Sequence, residues 1–67
     1  MSTIKVIEII TESTESWEAA AQEAVATASK TIDNIKSVYV KDFQAIVEGN
    51  KIKKYRVNAK VSFLLND

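Results

Sequence analysis

Apolar and polar residues alternate without a break near the end of the chain. In "KKYRVNAKVSF", Lys53 to Phe63, every second position is apolar: Tyr55, Val57, Ala59, Val61 and Phe63. Between them stand Lys54, Arg56, Asn58, Lys60 and Ser62. A period of two belongs to a β-strand with one face in a core. We read this strand as Ile52 to Leu65. Its second face is a ladder of three cations and two small polar groups.

The same logic divides the rest of the chain. Thr3 to Thr11 is β-branched and apolar (Ile4, Val6, Ile7, Ile9, Ile10), with Lys5 and Glu8 between, which predicts a strand apolar on both faces. "TESTES" is a polar connection. Ser13 is the expected helix N-cap, with Glu15 complementing the helix dipole and Thr14 or Ser16 as alternative caps. Steps of three and four then set in at Trp17, Ala20, Ala21, Ala24, Val25, Ala28, Ile32 and Ile35. These positions predict a helix with an alanine-rich inner stripe, ending near Asp33-Asn34. Lys36 to Val47 returns to β character, with Val38, Val40 and Ile46 on one side and Tyr39, Phe43 and Val47 on the other. Gly49-Asn50 holds the only glycine and marks a hairpin turn. The chain has no proline, repeat or linker.

These elements give the order β-α-β-β in one domain, residues 1–67. The fold class is α+β, a single helix packed on a three-stranded antiparallel sheet. One helix covers one face of such a sheet. Tyr55, Val57, Ala59, Val61 and Phe63 are the expected covered row, so Lys54, Arg56 and Asn58 fall on the open face. The first two strands leave apolar residues there as well, which marks an interaction surface. The simplest partner is another copy of the chain.

Composition sharpens this expectation. A chain of 67 residues buries only about 60% of its unfolded surface as a monomer. Ordering costs roughly 1.5 kcal/mol per residue, which leaves little net stability from such a core. Without cysteine or histidine, neither a disulfide nor the usual zinc ligands can reinforce it. Self-association remains. Formal charge is zero, against the basic excess usual in nucleic-acid binders. The half up to Asp33 is acid-rich and the half after it lysine-rich. No apolar run is long enough to span a membrane. The start "MSTIKVIEII" shows no signal-peptide layout, so a cytoplasmic protein is expected.

The chemistry points away from catalysis. No histidine can activate Ser or Thr, G-x-S-x-G is absent, and one glycine cannot build a phosphate loop. Glu8, Glu12, Glu15 and Glu18 could supply oxygens to calcium, but "TESTES" lacks the spaced layout of a calcium loop; a solvated, helix-complementing face is the plainer reading. Trp17 is read as a core or interface anchor ahead of a ligand platform. Arg56, mid-strand between Lys54 and Asn58, suits either an inter-subunit ion pair or an anionic or aromatic ligand. Glu8, Glu12 and Asp42 of a neighbouring copy are the expected acceptors.

Several strings resemble a known family. "VIEIIT" with its Ser/Thr-rich continuation, "SWEAAAQEAV", "TIDNIKSVYV" and the ending "YRVNAKVSFLL" are similar to the dodecins, and the likeness covers nearly the whole chain. It implies a hollow homododecamer that binds or stores small ligands, in most members flavins held between aromatic side chains at two-fold interfaces. In the flavin-binding members a Trp at the start of the second strand stacks on the isoalloxazine ring. In "DNIKSVYV" that place is Ser37. A Gln following the last-strand Tyr grips the flavin edge, and in "YRV" that place is Arg56. The resemblance therefore marks Ser37 and Arg56 as the cofactor-binding positions and implies weakened binding of FMN or riboflavin. A branch lacking the strand Trp carries a Trp at the helix start, as Trp17 does in "SWEAAA". Members of that branch are called calcium dodecins, and the resemblance to them is the closer one. The alternative it raises is a structural or calcium-binding dodecamer without flavin, its metal ligands undefined.

Overall fold

The computed structural model describes residues 2–65. It contains β1 (Thr3–Ser13), α1 (Trp17–Ala28), β2 (Ile35–Glu48) and β3 (Lys51–Leu65), the expected order. The sheet is antiparallel with strand order β1-β3-β2. β3 is therefore central, as suits the strand with the strictest alternation. Its 15 residues, at about 3.3 Å each, account for the 51 Å long axis.

The helix covers the expected face. Val57, Ala59 and Val61 are fully buried and Phe63 nearly so, against Ala20, Ala24 and Ala28 of α1. Small side chains at every fourth helical position bring the helix backbone close to β3. The Thr11 hydroxyl donates to the Ala20 carbonyl across that narrow gap. Ile7 and Ile9 from β1, Val38 and Val40 from β2, and Ile32 and Ile35 close the rim of the core. The largest fully buried side chains are only valines, Val57 and Val61, so one chain supports a thin core.

The helix is shorter at both ends than its periodicity predicts. Ser16, not Ser13, is the N-cap, its Oγ accepting from the Ala19 N–H at 2.9 Å. Ser13 instead extends β1 and accepts from the Glu15 N–H at 3.0 Å. Trp17 thus opens the helix, and Glu18 lies in its first turn. At the far end Ser29 is the C-cap, and Ile32 packs on the core from the connection that follows. The chain turns into β2 through Asn34 at φ 63°, whose carbonyl accepts from the Leu64 N–H at 3.0 Å.

β2 departs from simple alternation. A register shift between Val40 and Asp42 leaves Lys41 without a cross-strand position, so Asp42 sits opposite Asn58 and Phe43 opposite Val57. An extra residue inverts the side chains that follow, here as far as the next register shift, between Ile46 and Val47. Phe43 therefore shares the helix face with Val38 and Val40, while Ile46, opposite Lys54, joins Tyr39 on the open face. Both fall on the side opposite to the one their spacing predicts. At the hairpin tip, Gly49 and Asn50 both adopt positive φ (62° and 64°), as a two-residue type I′ turn demands.

Candidate functional site

The side of the sheet away from the helix carries the chemistry. Directly opposed residues of an antiparallel pair point to the same face. Register then sets Glu12 and Gln44 on either side of Arg56, Ile10 and Asp42 beside Asn58, Glu8 and Tyr39 beside Lys60, and Val6 and Ser37 beside Ser62. Ile4 and Val6 are each 52% exposed, Ile10 63% and Tyr39 64%. The face is thus an apolar surface threaded by a central polar row.

Arg56 is paired within its own chain. Its Nε–H donates to Glu12 Oε2 at 2.8 Å, and Nη2 lies 2.7 Å from the same oxygen. Lys54 Nζ stands 3.6 Å from Glu12 Oε1. Hydrogen bonding from Arg56 holds the Glu12 carboxyl below the usual carboxylate range, outweighing partial desolvation, with the charges of Arg56 and Lys54 adding to it. The acceptor is therefore the cross-strand neighbour on β1, where a carboxylate from another copy was expected. A second pair, Lys41 Nζ to Glu8 at 3.6 Å, lies further along the sheet.

Beside Arg56 a cleft of about 390 Å³ is lined by Ile10, Asp42, Phe43, Gln44, Arg56 and Asn58. At this site Asn58 Oδ1 is closed off from solvent and has no hydrogen-bond partner among the described residues. An unpaired buried acceptor costs free energy and invites a donor. Gln44 is a lining residue that sequence reasoning missed. Only the bulge at Lys41 aligns it with Arg56, and straight alternation carries no sign of that.

Ser37 lies elsewhere on the face. Its hydroxyl and that of Ser62 share a hydrogen bond. Ser62 lies six positions beyond Arg56 on β3, about 20 Å at ~3.3 Å per residue. The two marked positions thus share a face but not a pocket within one chain. The carboxylates considered for calcium are also apart. Glu8 and Glu12 are ion-paired, Glu18 is on the helix, and no group of three or more Asp or Glu capable of holding a metal occurs among the described residues.

Trp17 lies against the helix side of the hairpin. Its indole N–H donates to the Gln44 carbonyl at 3.0 Å, and its ring meets Phe43 (centroids 5.4 Å) and Tyr55 (5.0 Å, edge-on). It clamps the start of α1 to β2 and β3 and is 36% exposed. Among the described residues no helix is long and apolar enough to cross a membrane.

Comparison with known proteins agrees with this architecture. Residues 3–66 match the family described as Dodecin. The calcium dodecin of Mycobacterium tuberculosis is 41% identical over 63 residues, covering 94% of this chain and 89% of its own length. A crystal structure of calcium dodecin from the same organism, described as a calcium-chelating antigen, superposes with a TM-score of 0.83 at 38% identity, over 97% of this chain and 93% of that one. A point mutant of the T. thermophilus dodecin superposes with a TM-score of 0.93 at 31% identity, over 100% of this chain and 98% of that one. By fold, by sequence and by the extent of both matches, the chain belongs to the dodecin family.

Proposed function

We propose that the protein is a homo-oligomer, a dodecamer, that binds or stores a small ligand between copies of its open sheet face. Dodecins are binding proteins rather than enzymes. The observation that carries the assembly is the exposure of Ile4, Val6, Ile10 and Tyr39 on a face that no helix covers. Exposed apolar residues gathered on one uncovered sheet face mark an interaction surface. The thin valine–alanine core gives a reason for it, because burial between copies adds the stability that one chain lacks.

The ligand reading rests on Ser37 and Arg56, which stand where flavin-binding relatives carry an aromatic ring and a glutamine. They lie about 20 Å apart along one chain, counting ~3.3 Å per strand residue, so a pocket using both must combine copies. Serine offers no π-face, and loss of stacking removes roughly 1–3 kcal/mol by the nucleobase analogy. Flavin binding is therefore weak. A second reading, a calcium-binding dodecamer without flavin, is favoured by the 41% identity to calcium dodecin. A cation would then draw carboxylates from more than one copy.

Native mass spectrometry with and without FMN, riboflavin and calcium tests both readings. A dodecamer with low flavin occupancy is expected. A stable folded monomer at micromolar concentration would refute the assembly. Tight flavin binding would refute the role given to Ser37 and Arg56, and stepwise calcium uptake would select the second reading.

A further inference from the structure

We propose that Glu12 is an internal counter-ion that closes Arg56 to anions, so that the cleft beside it takes an uncharged or cationic ligand in preference to a phosphate or carboxylate. This deepens the ligand-binding reading above and rests on the cleft being the site.

A lone arginine on an open strand face is an anion site by default, since its guanidinium fork matches carboxylate and phosphate. Arg56 is the only arginine in the chain. Its fork is already turned onto Glu12, with Nε at 2.8 Å and Nη2 at 2.7 Å from one carboxylate oxygen, while Lys54 approaches the other oxygen at 3.6 Å. The pair is set by register, because Glu12 on β1 lies directly opposite Arg56 on β3. An incoming anion must either displace Glu12 or approach a guanidinium whose charge is already compensated.

The rest of the cleft repels anions as well. Asp42 sits directly opposite Asn58, and both line the cavity with Arg56. Asn58 Oδ1 is an acceptor without a donor among the described residues. Apart from the Glu12–Arg56 pair, the polar lining is then the Asp42 carboxylate and the neutral amides of Gln44 and Asn58, so the one formal charge left in the cleft is negative. Glu12 thereby sets ligand charge without supplying the cleft's own hydrogen bonds.

Inorganic phosphate is the probe. Calorimetric titration of the assembled wild type should show no saturable binding at millimolar phosphate. Glu12→Ala and Glu12→Gln should gain binding, about tenfold or tighter for a freed charge-assisted contact. The alanine variant removes the hydrogen bond that a glutamine could still accept from Arg56. Glu12→Ala combined with Arg56→Gln should lose the gain. Circular dichroism and native mass verify that each variant is folded and assembled. The wild type gives a second, mutation-free measurement, since a single arginine yields one assignable Nε resonance, which should stay unshifted by phosphate.

A saturating shift of that resonance, or wild-type phosphate affinity equal to that of the Glu12 variants, would overturn the proposal. So would folded Glu12 variants that gain nothing. None of these outcomes bears on whether the cleft binds a neutral ligand, which native mass with riboflavin reads separately.

Discussion

Trp17→Ala is the most informative single perturbation of the fold. Trp17 joins α1 to both hairpin strands through Phe43, Tyr55 and the Gln44 carbonyl. Truncating a fully buried tryptophan costs about 3–5 kcal/mol. Trp17 is 36% exposed, so about two-thirds of that, roughly 2–3 kcal/mol, is expected. For a domain of this size each kcal/mol shifts Tm by about 4–8 °C, which gives a fall of roughly 10–20 °C. Trp17→Phe keeps a ring against Phe43 and Tyr55 but loses the N–H donor, and should cost only about 1 kcal/mol. Thermal melts should be run at fixed protomer concentration, because linked dissociation makes Tm depend on it. If Trp17→Ala melts within a degree or two of wild type, the clamp contributes nothing and the anchor assignment fails. A selective loss of ligand response without loss of stability would instead make Trp17 a ligand platform.

Three further outcomes are expected. Ser37→Trp, alone or with Arg56→Gln, should tighten flavin binding by roughly one to two orders of magnitude, the equivalent of 1–3 kcal/mol of stacking, read by quenching of flavin fluorescence; no gain in the double variant would contradict the site assignment. Ala24→Leu should destabilise by about 1–3 kcal/mol through overpacking, because Ala24 is fully buried against β3, and denaturant titration reads it directly. Glu12 is held below the usual carboxylate range by Arg56, so its contribution is fully present above its unfolded value of about 4.3 and is lost as pH falls through the lower folded value. The stability gap between wild type and Glu12→Gln should therefore narrow in acid titrations below that point, and a gap that widens there would reverse the assigned sign.

The chain by itself determined the element order, the face of β3 that the helix covers, the Gly49-Asn50 turn and the position of Arg56 on the opposite face. Each follows from local chemistry: strand alternation, helical spacing, and the few residues that accept positive φ. Family membership was legible for the same reason, since its strings lie in contiguous segments. Tertiary structure decided the rest. Propensity alone extends α1 through Lys30 and Ile32, but Ser16 and Ser29 cap a shorter helix, and Ile32 reaches the core from outside it. The bulge at Lys41 is invisible in a run of β-forming residues, because it is set by pairing with β3, and it moves Phe43 to the helix face and Ile46 away from it. The Glu12–Arg56 pair spans 44 positions of sequence. No local pattern links those two residues. Only the register of β1 against the central strand, fixed when Ile7, Ile9 and Thr11 turn together toward the helix, brings the carboxylate onto the guanidinium.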